Sequence, residues 1–328
     1  MAAGSKTPLQ VFFYEAFKEE AAELSSLLGT NISYDYSDKT IQELGHADPP
    51  ARLISIRTQS TIPIEWTEKI DGVLSRSTGY DHLVRYQSKI RKKLPLGYLE
   101  EYATRAVAEQ TMLMVQALLR KLPLQLKQFG TFERDGLTGG ECLGKNLLVV
   151  GVGRIGSEII TIAKGLGFVV KGVDIKRDKP AVEYVSKEEG IAWADVVVCS
   201  MNLTPENTGY FNYDYLKQSR PGCIFVNIAR GEHSPISDLL QLVKERKVGG
   251  VGLDVYEDES SLAVILRNAG VNTMKSVSEI RALAAYPNVL LTPHNAFNTI
   301  DAVRRKSRMS VEQVEHFLSH KDFIWKLE

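Results

Sequence analysis

The chain has 328 residues, enough for two domains at roughly 100–200 residues each. Its 44% hydrophobic and 24% charged residues describe a globular chain, and 40 basic against 40 acidic residues leave no net field to draw nucleic acid or an anionic membrane, so neither is expected as a partner. No apolar run is long enough to span a bilayer, no leader-type apolar core precedes Leu9, and three cysteines without metal-ligand spacing lead to the expectation of a cytoplasmic protein with reduced thiols and no metal site.

Apolar runs at 9–13, 53–56 and 72–75 lack polar alternation and read as buried parallel strands. A helix is expected over 16–28, closed by Gly29. The Arg91-Lys92-Lys93 run reads as solvated surface. Residues 103–121 carry apolar side chains on nearly every side, so this helix is expected to be buried and to end at Pro123. From 146 onward the alternation of strand and helix becomes regular, with strands expected at 146–150, 168–173, 196–200, 223–228, 250–255 and 289–291. Such a series with crossovers describes a doubly wound parallel sheet. Cys199 and Cys223 fall inside strands, where a thiol is normally a small core hydrophobe. The stretch 260–286 is long for a connection and is expected to hold one or two helices, and 301–320 is helical with no strand after it.

The strand at 146–150 runs into Gly151-Val152-Gly153-Arg154-Ile155-Gly156. Three glycines at this spacing are weak evidence alone. Here they follow a strand, open a helix, and precede a second strand that ends on Asp174, near the offset of about 20 residues expected of an acid that binds a ribose. Gly151 permits a tight turn, Gly153 lets a pyrophosphate approach the backbone, and Gly156 lets the helix pack on the strand. An acid at 174 favours NAD over NADP by repelling a 2′-phosphate, although Lys176 and Arg177 pull the other way.

Ligands of a parallel sheet bind beyond the carboxyl ends of its strands. Arg230 follows the strand at 223–228, Glu257 and Glu259 follow that at 250–255, and His294 follows that at 289–291. Each alone has a bland reading: a loop histidine, a surface arginine, a solvated acidic run. Their convergence on the edge that carries the glycine turn is harder to dismiss. His82 and His233 are the rival histidines, and nothing local marks either as an acid or base.

Beyond these groups the chain carries Ser77-Thr78-Gly79-Tyr80-Asp81, Ala106-Val107-Ala108-Glu109, Asn202 through Thr208, Asn227-Ile228-Ala229-Arg230-Gly231, Gly252 through Glu257, and Thr292-Pro293-His294. Taken in order, this set resembles the D-isomer-specific 2-hydroxyacid dehydrogenases over nearly the whole chain. The segments 288–297 and 302–304 are most similar to the D-lactate dehydrogenase branch. The resemblance implies an α/β protein with a Rossmann nucleotide domain at 102–299 and a smaller flavodoxin-like substrate domain made of 1–101 and 300–328. It implies NAD as cofactor, a small 2-oxo or 2-hydroxy acid as substrate, and a homodimer.

Carried over by position, the resemblance makes Arg230 the grip on the substrate carboxylate and carbonyl, His294 the proton donor in reduction, and Glu259 the carboxylate that orients it, with Glu257 the competing choice. The hydride would come from nicotinamide C4. Gly151, Gly153, Arg154, Ile155, Gly156, Asp174, Met201, Asn202, Asn207, Ile228, Ala229, Arg230 and Asp254 would hold the cofactor. Thr78 and Gly79, through their amides, and Tyr102 and Phe297 would complete the substrate site with Arg230 and His294. Arg57-Thr58-Gln59-Ser60 stands where the family has a bulkier aromatic, which leaves substrate size open. Glyoxylate or hydroxypyruvate reduction, phosphite or formate oxidation on the same frame, and an NAD-sensing corepressor are the alternatives.

Overall fold

A computed structural model describes residues 8–267 and 275–328. The chain divides into two units, Met1–Ala103 with Asn298–Glu328, and Thr104–Phe297. Each is built on a wholly parallel sheet, the α/β architecture expected above.

In the first unit the strands are β1 (Val11–Phe13), β2 (Tyr34–Tyr36), β3 (Leu53–Ile56), β4 (Gly72–Ser75) and β5 (Leu96–Gly97), in the order β2-β1-β3-β4-β5. Every residue of β1, β3 and β4 is buried, because helices cover both faces of a parallel sheet. The helix Lys18–Leu28 begins two residues later than expected, and Gly29 takes φ 59° at its end. The C-terminal helix Ile300–His320 belongs to this unit. Beyond it the sequence reading has no strand, yet Lys326 forms an antiparallel bridge to Gly97, and Leu327 N donates to Leu96 O at 2.9 Å.

In the second unit the strands are β6 (Asn146–Val150), β7 (Val169–Val173), β8 (Glu183–Tyr184), β9 (Val196–Cys199), β10 (Ile224–Asn227), β11 (Gly250–Leu253) and β12 (Val289–Leu291), ordered β12-β11-β10-β9-β6-β7-β8. The chain winds one way from β6 to β8 and the other way from β9 to β12. The strand order therefore reverses between β6 and β9, and that switch point is where a doubly wound sheet opens a crevice at its carboxyl edge.

The long helix runs Thr104–Leu119 and buries ten of its residues, though Leu113 stays 55% exposed. Pro123 does not end it. Lys121 at φ 55° breaks the chain direction, and Pro123 lies in the first turn of a second helix, Leu122–Gln128, where its fixed φ fits and its missing N–H costs nothing. The 260–286 segment holds the helices Glu259–Arg267 and Lys275–Ala284, with 268–274 outside the described residues.

Candidate active site

The glycine turn joins β6 to the helix Arg154–Gly165. Gly151 sits at φ +95°, and a Cβ there would stand 2.7 Å from Met201 N. A Cβ on Gly156 would stand 2.0 Å from Gly151 O, so helix and turn touch only without side chains. Gly153 differs: a Cβ would meet nothing within 4 Å, which leaves the helix N-terminus open to an incoming anion. Asp174 closes β7 against this turn, Oδ2 accepting from Val152 N at 2.5 Å and Oδ1 from Lys176 N at 2.8 Å. An open glycine on a helix N-terminus beside a fixed acid with spare lone pairs fits a dinucleotide. Arg154 is exposed and Ile155 half-buried at the start of that helix.

The loop after β9 carries Met201, Asn202 and Asn207. Asn207 folds it, its Oδ1 accepting from Thr204 N and its Nδ2 donating to Asn202 O, each at 2.8 Å. His233 is fully buried with Nδ1 3.1 Å from Asn207 O and Nε2 3.3 Å from Met201 O. Burial lowers its pKa below the ordinary imidazole value. This histidine ties two loops together as a scaffold. At the end of β10, Asn227 Oδ1 accepts from Ala229 N at 3.0 Å, and its Nδ2 donates to Arg230 O and Ser234 Oγ, both at 2.8 Å. The Ile228-Ala229-Arg230 corner is thus set by one buried amide.

Asp254 follows β11 and is fully buried. Burial raises its pKa above the ordinary carboxylate range, against the pull of the Thr292 hydroxyl. Its Oδ1 accepts from Thr292 Oγ1 at 2.5 Å and Asn295 N at 2.8 Å, and its Oδ2 from Ala296 N at 2.8 Å. Tyr256 Oη adds a donation to Thr292 O at 2.8 Å. These bonds strap down the loop after β12, in which His294 takes φ 50°. This anchoring was not read from the sequence, because it depends on a strand end meeting a loop some forty residues on.

His294 Nδ1 lies 2.8 Å from both Oε1 and Oε2 of Glu259, with side chains 21% and 19% exposed. An Nδ1–H donated to that carboxylate leaves Nε2 to exchange a proton with a ligand. Phe297, buried, sets its ring edge-on to the imidazole, with centroids 6.4 Å apart. Glu257 turns away and accepts from Ile236 N at 3.1 Å, at the start of the helix Ile236–Lys244. Since β10, β11 and β12 are neighbours, Arg230, Glu259 and His294 all leave the carboxyl edge of adjacent parallel strands.

Within the first unit, Thr78 and Gly79 form the turn after β4, Thr78 exposed and Gly79 half-buried. Tyr102 is buried, and its carbonyl accepts from Arg305 Nε at 2.9 Å. The Arg57–Ser60 loop is gripped by a residue that no local signal marks. Glu15, itself at φ 56°, accepts from the amides of Arg57 and Gln59 at 3.0 Å and of Ser60 at 3.1 Å. Among the described residues no group of three or more His, Cys, Asp or Glu is placed to hold a metal ion, and no helix is long and apolar enough to cross a membrane.

Residues 111–296 match the family model for the NAD-binding domain of D-isomer-specific 2-hydroxyacid dehydrogenases. An aromatic 2-oxoacid reductase of Clostridium sporogenes is 30% identical over 275 residues, covering 80% of this chain and 82% of that one. A D-lactate dehydrogenase of Streptococcus agalactiae is 33% identical over 244 residues, covering 72% of each. The fold is shared with the Aquifex aeolicus D-lactate dehydrogenase solved with NAD and lactic acid, at a TM-score of 0.82 and 24% identity over 96% of this chain and 99% of that one. With the glycine turn that fits a dinucleotide and the paired histidine and glutamate on the same carboxyl edge of the sheet, the chain belongs to the D-isomer-specific 2-hydroxyacid dehydrogenases, in their D-lactate dehydrogenase-like branch, and is an NAD-dependent enzyme of that family.

Proposed function

We propose that the enzyme interconverts a small 2-oxo acid and its D-2-hydroxy acid, with His294 as the proton-transferring group. The observation that carries this reading is the His294–Glu259 pair, with both carboxylate oxygens 2.8 Å from Nδ1. Glu259 orients the ring by accepting its Nδ1–H, so that Nε2 gives a proton to the carbonyl oxygen in reduction and takes one from the hydroxyl in oxidation. Arg230 offers two parallel donors to the substrate carboxylate and stabilises charge developing on the oxygen. The amides of Thr78 and Gly79 are further donors to the carboxylate, and Tyr102 and Phe297 flank the substrate. Gly151, Gly153, Gly156 and Asp174 hold the dinucleotide, with Arg154, Ile155, Met201, Asn202, Asn207, Ile228, Ala229 and Asp254 around it. Bound NADH supplies the hydride.

The test is NADH oxidation against glyoxylate, pyruvate, hydroxypyruvate, and longer and aromatic 2-oxo acids, with phosphite and formate tried against NAD. Turnover of pyruvate-sized acids is expected. A second reading, a bulky aromatic acid as substrate, is favoured by the C. sporogenes relative, and a strong preference for aromatic acids would establish it instead.

We also propose a homodimer in the cytoplasm. Three free cysteines fit a reducing compartment. Leu126, Phe129, Phe132 and Leu143 are 70–76% exposed along one segment of the second unit, and such a run of apolar side chains calls for a cover. A second copy is the cover we favour. Light scattering is expected to give twice the chain mass, and a monomer at working concentration would reject it.

A further inference from the structure

The turn after β4 is closed by a chain of hydroxyls to which the chemistry above assigns no role. Ser77 Oγ donates to Gly79 O at 2.8 Å, Ser75 Oγ and Ser77 Oγ stand 2.7 Å apart, and Ser75 Oγ stands 2.8 Å from His82 Nε2. Ser75 and Ser77 are buried. His82 lies in the first turn of the helix Asp81–Gln87.

Proton counting sets the direction of this chain. A carbonyl only accepts, so the single hydroxyl proton of Ser77 goes to Gly79 O. Ser77 Oγ must then accept the proton of Ser75, and Ser75 has none left for the imidazole. His82 Nε2 is therefore the donor at the head of the chain. Hydrogen bonds in series within a buried site polarise one another, so the last link depends on the first.

The far end of the chain matters most. The Ser77 Oγ to Gly79 O bond closes a ring around Thr78, and that ring sets the direction of the Thr78 and Gly79 N–H groups. The stem of the turn is held independently. Arg76 N donates to Ile56 O at 2.8 Å, Leu99 N donates to Ser77 O at 3.1 Å, and the Arg76 guanidinium is tied to Glu20, Ser55 and Tyr14 O. Loss of the hydroxyl chain therefore loosens the apex while the stem stays in place.

We propose that His82 is a positioning residue for 2-oxo acid binding, acting through Ser75 and Ser77 to aim the Thr78 and Gly79 amides at the substrate carboxylate; this rests on the reading of those amides given above. His82 touches no reacting atom in this role. Its signature falls on substrate affinity, with turnover and cofactor binding spared.

The experiment is steady-state reduction of the best acceptor from the 2-oxo acid panel by the native enzyme, His82→Ala, His82→Gln and Ser75→Ala, with NADH affinity from fluorescence titration and folding checked by thermal melting. His82→Ala is expected to raise KM for the 2-oxo acid about three- to tenfold, the worth of one hydrogen bond. It is expected to leave kcat within about twofold and the NADH Kd unchanged. Ser75→Ala breaks the same chain and is expected to match it. His82→Gln keeps an amide N–H donor and is expected to restore much of the native KM. An unchanged KM in folded His82→Ala and Ser75→Ala, or a Gln variant as poor as the Ala one, would overturn the proposal. If His82→Ala does not fold, the comparison of Ser75→Ala with His82→Gln decides in the same way. A native enzyme that reduces no acid of the panel would instead overturn the functional reading and this one together.

Discussion

Holding a non-glycine residue in the left-handed region costs about 1–3 kcal/mol, and His294 at φ 50° is held there. Asp254 supplies the restraint by accepting from Thr292, Asn295 and Ala296 around it. The imidazole is therefore presented by a strapped loop whose ring direction Glu259 completes. Glu259→Gln leaves a side chain of the same shape whose amide no longer enforces the Nδ1–H form, so turnover should fall by about a hundredfold or more in both directions, with NADH affinity unchanged. Glu257→Gln should leave turnover near native, since the Glu257 carboxylate accepts from Ile236 N and not from His294. Steady-state kinetics of the two variants decides between them, and the opposite pattern would reassign the role. The glycine turn allows an equally sharp contrast. Gly153→Ala meets no protein atom and should fold normally while losing NADH affinity, whereas Gly156→Ala collides with Gly151 O and should lower the melting temperature. A Gly153→Ala enzyme with native NADH affinity would remove the pyrophosphate from that corner.

The helix Ile300–His320 docks on the helix Lys18–Leu28 through a buried ion cluster. Lys306 Nζ and Arg76 Nε each stand 2.8 Å from Glu20, and all three side chains are fully buried. Burial pulls Lys306 down from 10.5 to about 7, with Glu20 pulling the other way. Burial pushes Glu20 up, but the charges of Arg76, Lys306 and Arg57 hold it from 4.5 down to about 2. The signs follow by linkage. Between pH of about 7 and 10.5 the unfolded chain binds the Lys306 proton and the folded one does not, so stability from this group rises with pH across that window. The contribution of Glu20 is present above 4.5 and is lost as pH falls toward about 2. Lys306→Met keeps the packed stem and should flatten the rise in unfolding midpoint across the alkaline window; an unaltered slope would contradict this.

Burial of the strands decides how much of the fold is legible in the sequence. The strands β3, β4, β6 and β12 were legible to the residue, and β7, β9, β10 and β11 to within two at either end, because most are buried on both faces and appear as unbroken apolar runs. The strands β2, β5 and β8 went unread. Each is two or three residues long and forms an edge of its sheet; half-buried Tyr34 in β2 and exposed Glu183 in β8 break the apolar signal, and β5, though buried, is only two residues long. Arg230 and His294 stand out in the sequence as candidates because strand ends carry chemistry in a parallel sheet. Asp254 was visible as a residue, but its hold on the His294 loop was not. The grip of Glu15 and the Ser75–Ser77–His82 chain were likewise hidden, since each links segments that only folding brings together.

At the scale of the molecule, the second unit carries both the glycine turn after β6 and the His294–Glu259 pair, and the family match spans the segment that holds them. Cofactor choice follows from the same corner. Asp174, fixed against Val152 N, should favour NADH over NADPH, and Asp174→Ala should narrow that preference as measured by kcat/KM with each; better use of NADPH by the native enzyme would show that Lys176 and Arg177 dominate. The central claim joins this cofactor to His294 as the group that moves the substrate proton. The most direct measurement compares native enzyme with His294→Ala, following NADH oxidation with the preferred 2-oxo acid, the configuration of the hydroxy acid formed, and NADH binding. The account predicts D-2-hydroxy acid from the native enzyme, and a turnover in His294→Ala lower by about 10²- to 10⁴-fold with NADH still bound. An L product, or native turnover without the His294 imidazole, would contradict it.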